Sequence, residues 1–180
     1  MSKIRVAAAF VLISLFASFN SCAQGVHDPE SPVSLGSTTL NLGAGPGLTY
    51  KYYNDLSVGI KTALEFGLWR AGPGVITLGG EFGISINELS HSIGLAGRSA
   101  WHYGWNVRGL DTYGGVSVGA GFYSDDSKVY SVDGSHEDEV FPLVGGFIGA
   151  SYFLNRHFGF NVEAGYDISI IQAGIIFKLR

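Results

Sequence analysis

Along residues 75–86, VITLGGEFGISI, the odd positions read Val75, Thr77, Gly79, Glu81, Gly83 and Ser85, and the even ones Ile76, Leu78, Gly80, Phe82, Ile84 and Ile86. Alternation of period two marks a β-strand. The polar face is the unusual one. A strand whose polar side met water would be rich in Thr, Lys and Glu, whereas this side is mostly Gly with a rare charge. The same rhythm carries Lys61 and Glu65, then Arg98, then Glu163, each flanked at two-residue spacing mostly by small residues, while the opposite positions are apolar. Small residues with a few charges suit a crowded polar interior. Apolar outward and polar inward is the pattern of a transmembrane β-barrel.

The parity predicts eight strands, over 37–47, 57–69, 75–86, 94–104, 112–123, 141–153, 158–166 and 169–179. Each is close to, or somewhat longer than, the roughly 9–11 residues a tilted strand needs to cross a bilayer. A sixteen-stranded porin would need roughly 160 residues in strands alone, so a wide aqueous channel is excluded. The connections alternate in character. RAGPG (70–74), NVRGLD (106–111) and NRH (155–157) are short, while 48–55, 87–92 and 124–139 are mostly longer, the asymmetry expected of periplasmic turns and outside loops. Trp69, Trp101, Tyr103, Trp105, Tyr152 and Phe158 gather near the short-turn ends, where an interfacial aromatic girdle is expected. The predicted fold is all-β, an eight-stranded antiparallel up-and-down transmembrane barrel.

The N-terminus adds an address. Lys3 and Arg5, an apolar run from Val6 to Phe19, and the small residues Ser21-Cys22-Ala23 read as a cleaved secretory signal peptide over 1–23. The run is about 14 residues, too short for a spanning helix. Cleavage after Ala23 removes the single cysteine, so no disulfide is expected in the mature chain; lipidation of Cys22 is the alternative. Residues 24–35 form a short Pro-containing periplasmic lead-in, and 36–180 the barrel. Losing Lys3 and Arg5 takes the 11 basic side chains to 9 against 15 acidic ones, and the formal charge from −4 to −6. Nucleic acid is therefore not an expected partner. Charged residues are only 14% of the chain and Gly is 27 of 180, a mixture that suits a wall meeting lipid better than one meeting water.

The stretch FIGASYFLNRHFGFNVEAGYDISIIQAGIIFKLR (147–180) sets out a Gly-x-x-Tyr strand, a tight Asn-containing turn, a Phe-Gly-x-x-x-Glu-x-Gly-Tyr strand and a Gly-centred last strand. In this the chain, over roughly 36–180, resembles the small eight-stranded, porin-like outer-membrane barrel proteins of Gram-negative bacteria. The resemblance implies an integral outer-membrane protein, with outer-membrane lipids, lipopolysaccharide and the outer-membrane assembly machinery as partners, and a monomer as the expected state. Such proteins commonly end on an aromatic residue read during assembly. This one ends Phe177-Lys178-Leu179-Arg180.

Placing residues 86 and 93 symmetrically about the second outside loop sets Glu81 opposite Arg98, and opposite charges across strands attract. The 70–74 turn brings Glu65 close to the Glu81 level, with Lys61 one layer further out, and Glu163 faces Gln172 across the last loop. A lumen cluster of Lys61, Glu65, Glu81, Arg98, Glu163 and Gln172 is expected. An eight-stranded barrel has just enough interior for side chains to fill, so the lumen is expected to be closed. The cluster either satisfies charges that would be costly in lipid or acts as a gate in which Arg98 exchanges carboxylates.

Other chemistry is thin. His91-Ser92, with Glu88 as the needed orienting acid, is an adjacent pair suggesting a nucleophile and its base, but successive strand side chains face opposite sides. His27, His102, His136 and His157 show no metal spacing, and Gly43-Ala44-Gly45-Pro46-Gly47 lacks the Lys and helix of a phosphate loop. No catalytic residue, metal or cofactor is expected. Asp125, Asp126, Asp133, Glu137, Asp138 and Glu139 in the third outside loop could bind divalent cations bridging to lipopolysaccharide phosphates, or form a solvated loop. A structural or surface-interaction barrel ranks first, a small-solute conduit second and a lipid-modifying enzyme third. A soluble lipocalin-like carrier would need apolar residues inside.

Overall fold

The computed structural model describes residues 31–47, 57–87, 90–125, 138–166 and 169–180. The expected signal peptide, Cys22, the start of the lead-in, the first outside loop and most of the third lie outside the described residues. Eight strands follow one another: β1 (Thr38–Gly47), β2 (Ser57–Ala71), β3 (Gly74–Ile86), β4 (Ser90–Gly104), β5 (Leu110–Asp125), β6 (Asp138–Phe153), β7 (Phe158–Gly165) and β8 (Ile171–Lys178). Each pairs antiparallel with its sequence neighbours, and β8 returns to β1 from Thr39↔Lys178 to Ala44↔Ala173, closing the barrel. Closure leaves no open strand edge, the condition for placing β-structure in lipid.

The faces follow the sequence parity. On β2 the odd positions from Ser57 to Glu65 are buried and the even ones exposed, and on β4 the even positions Ala96, Arg98, Ala100 and His102 point inward. The outer wall is apolar and open, with Val116 (63%), Val144 (67%) and Ile148 (69%) exposed. In water such a belt would be a large exposed apolar patch; facing acyl chains, it is the proper surface. At the short-turn end Trp101 stacks on Tyr103 (5.7 Å), which meets Trp105 edge-on (5.0 Å), and the two indoles bond inward to Ala71 O (3.0 Å) and Thr112 Oγ1 (2.9 Å).

Turn chemistry sets the register. Gly72, at φ +60°, and Pro73 separate Ala71 from its partner Gly74, a Gly-first combination suited to a II′ hairpin turn. The β3–β4 hairpin differs from expectation. Asn87 Oδ1 accepts from Ser90 N (2.6 Å) and Ser90 Oγ (3.0 Å), while Asn87 N donates to Ser90 O (3.0 Å). The ladder therefore begins with Ile86↔His91, so Arg98 lies opposite Gly79, and Glu81 opposite Ala96. The expected direct Glu81–Arg98 pairing is off by two residues. His91 and Ser92 belong to β4, not to a loop, and alternate between its faces.

The lumen glycines have a packing reason. The Tyr113 ring lies across Gly149, Phe147 across Gly115 and Phe141 across Gly121, each on the next strand. Large rings and bare backbone share the bore. The short-turn mouth is covered by residues 31–36: Ser31 rests on Gly104 of β4, the Ser34 carbonyl on Gly67 of β2, and Val33, fully buried, packs with Phe153 of β6 and Ile176 of β8. Gly36 N donates to Gly67 O (2.8 Å), and Lys178 Nζ donates to Pro32 O (2.7 Å).

Adjacent glycines give a parity test. A Cβ on inward Gly79 would run into the Leu64 carbonyl, whereas on outward Gly80 its nearest neighbour is Ala96 O at 3.6 Å. Gly79→Val should abolish or weaken the fast-migrating unheated band on a detergent gel, by about 1–3 kcal/mol of strain, and Gly80→Val should leave it intact.

Candidate functional site: a buried charge network across the lumen

β4 delivers Arg98 to the middle of the bore, 1% exposed. Its Nε lies 2.9 Å from Glu65 Oε1 of β2, Nη1 donates to Glu81 Oε2 of β3 (3.0 Å), and Nη2 donates to Glu163 Oε2 of β7 (2.9 Å). The Nε contact has ion-pair distance without hydrogen-bond alignment. One guanidinium thus ties its own strand to three others, a use that suits its fixed planar fork. Its face lies 3.9 Å from the centre of the Phe147 ring, within cation–π range.

Around this hub each carboxylate has further partners. Lys61 Nζ donates to Glu163 Oε1 (2.5 Å) and stands 3.8 Å from Glu81 Oε2. Gln172 Nε2 donates to Glu163 Oε1 (3.0 Å), across the direct register pair Glu163↔Gln172. Thr77 Oγ1 donates to Glu65 Oε2. The structure brings Lys61, Glu65, Glu81, Arg98, Glu163 and Gln172 into one connected cluster, all at least 96% buried.

The network also runs on toward the short-turn end through residues outside the expected set. His102 Nε2 lies 3.3 Å from Glu65 Oε2, and Nδ1 2.8 Å from Asp111 Oδ2; only a doubly protonated ring donates to both. The imidazole stacks on Tyr113 at 4.9 Å, and Tyr113 meets Phe147 edge-on at 6.2 Å. A signal for His102 was present, since it follows Arg98 by four residues at the same parity. Asp111 needed β5 to begin at Leu110 instead of residue 112.

The remaining candidates lie apart from this cluster. His91 and Ser92 sit on opposite faces of β4. Asp125 ends β5, and Asp138 and Glu139 open β6; Asp126, Asp133 and Glu137, like Glu88, lie outside the described residues. His157 is exposed in the β6–β7 turn, where Asn155 Oδ1 accepts from His157 N (2.8 Å) and Phe158 N (2.9 Å).

Removing Arg98 would leave three buried carboxylates with one lysine among them. Arg98→Ala is expected to cost about 3–5 kcal/mol, the usual penalty for breaking a buried ion pair from one side, read as a lower urea midpoint for the detergent-folded protein. Arg98→Lys, which cannot reach three acids at once, should fall between.

No family model and no curated protein matches this chain. Among solved structures, the N-terminal β-barrel domain of Pseudomonas aeruginosa OprF aligns with TM-score 0.58 at 13% identity, covering 81% of this chain and 98% of that one. Neisserial surface protein A (NspA) aligns with TM-score 0.55 at 10% identity, covering 79% and 94%. A de novo designed transmembrane β-barrel aligns with TM-score 0.54 at 16% identity, covering 82% and 98%. At these identities the likeness is one of fold. The architecture is that of the small eight-stranded outer-membrane barrels.

Proposed function

We propose that this chain is an integral outer-membrane barrel with a sealed lumen, acting as a structural or surface-interaction protein and not as an enzyme or an open pore. The observation that carries the reading is Arg98, whose guanidinium links β4 to acids from β2, β3 and β7 across the bore. Residues 31–36 lie over the mouth beneath it. A bore occupied in this way has little room for a solute.

With the interior committed to holding strands together, the surfaces left for contact are the lipid-facing belt and the loop end. The apolar belt suits outer-membrane lipids, and the acidic third loop suits cation-bridged contact with lipopolysaccharide phosphates. The aromatic and apolar residues of β8 that face outward, Ile175 and Phe177, are what the assembly machinery would meet. NspA, of the same fold, is named a surface protein. For catalysis the described residues offer no paired nucleophile and base at the barrel surface, because His91 and Ser92 point apart.

The reading is tested by reconstituting the purified protein in planar bilayers. No stepwise conductance is expected from the unmodified chain. Regular openings that disappear when Arg98 and its carboxylates are altered would favour the gated small-solute conduit instead.

A further inference from the structure

The charge network leaves one set of lumen groups unanswered. Asp111 is fully buried and gives only Oδ2 to His102; Oδ1 has no protein partner. Its register neighbour on β6 is Ser151, whose own neighbour on β7 is Asn161. Ser151 Oγ is likewise buried without a hydrogen bond, and the Tyr113 hydroxyl, which reaches over Gly149 toward β7, and the Asn161 amide face each other without a well-aligned one. Lumen-facing side chains on adjacent register positions stand about 5 Å apart. Four neighbouring residues on three strands thus carry unanswered polar atoms, mostly oxygens. Buried polar atoms are almost always satisfied, so something other than protein completes them.

Charge distinguishes the occupant. Among the described buried residues, Glu65, Glu81, Asp111 and Glu163 face two fixed cations, Lys61 and Arg98. An imidazolium at His102 still leaves one negative charge in excess. Glu65 and Glu163 are each held by a cation and by further donors, and Glu81 is held by Arg98 with Lys61 nearby. Asp111 has His102 alone. The surplus therefore falls on Asp111 Oδ1, the oxygen beside the other unanswered groups. Water would satisfy their hydrogen bonds but not the charge, which either a proton on Asp111 or a bound cation removes; the neighbouring oxygen acceptors favour the cation.

We infer that Asp111, Ser151, Asn161 and Tyr113 form a site for one small hard monovalent cation, of the sodium or potassium kind, at the short-turn end of the lumen. Oxygen donors with a single carboxylate suit such an ion and not a transition metal, which draws on nitrogen and sulfur ligands. Access is from the short-turn mouth. Gly104, the register partner of Asp111, is the residue on which Ser31 rests, so residues 31–36 form the cover.

The test is thermal unfolding of the detergent-folded protein in sodium, potassium and choline chlorides at one ionic strength, choline being too large for the site. Sodium or potassium should raise the midpoint over choline by about 3 °C or more, because a ligand bound only by the folded state stabilises it. Asp111→Asn should abolish the difference. Ser151→Ala, which removes a hydroxyl without a protein partner and should fold even if Asp111→Asn does not, should shrink the difference while leaving the choline midpoint unchanged or higher. Equal midpoints in all three salts would mean that water alone fills the pocket, and would overturn the proposal. A salt-specific difference undiminished by Ser151→Ala and by Tyr113→Phe would place the ion elsewhere and overturn it as well.

Discussion

Everything inside this barrel depends on the narrowness of its bore. Eight strands close around a space that holds side chains and little else, so an arginine there cannot keep its hydration shell. Arg98 is tolerable because carboxylates arrive from β2, β3 and β7 to within about 3 Å of it, replacing water on each nitrogen. The arrangement also explains its neighbours. Glycine must occupy many inward positions because each large lumen ring needs a bare stretch of backbone on the next strand, as Tyr113 does over Gly149 and Phe147 over Gly115. Phe147, held in this way, offers its face to the guanidinium. The glycine content and the sparse charge follow from one packing problem.

Strand number, faces and the inward position of Lys61, Glu65, Glu81, Arg98, Glu163 and Gln172 were legible because a period of two leaves a binary record in the sequence. Register was less so. A hairpin register depends on where the turn closes, and at β3–β4 the Asn87 side chain closes it two residues earlier than symmetry about the polar stretch suggests. The network survives that shift because an arginine side chain is long enough to reach diagonally from opposite Gly79 to Glu81. His102 and Asp111 were harder to find. His102 lies among the girdle aromatics Trp101 and Tyr103 in sequence, although its parity sends it inward, and Asp111 sits where a strand start and a polar turn look alike. The covering of the mouth by residues 31–36 has no periodic signal, since it depends on contacts with four strands far away in the chain.

The two surfaces of the wall divide the work. Inside, Arg98 and Lys61 are answered by acids from other strands, which ties the wall together across the bore. Outside, Val116, Val144, Ile148 and their neighbours stand exposed on the wall. A change to the charged hub inside therefore acts on whether the barrel holds together.

The segment across the mouth carries a consequence for the order of events during biogenesis. Its contacts come from β2, β4, β6 and β8: Gly67, Gly104, Phe153 and Ile176 are brought around one opening only after β8 has zipped to β1. Val33 has nowhere to go in a half-wound sheet. Docking of this segment is thus a terminal step, made possible by the seam and fastened by Lys178, a residue of the last strand, gripping the Pro32 carbonyl. Residues 31–36 and the last strand act together as a latch whose two halves meet only in the closed cylinder.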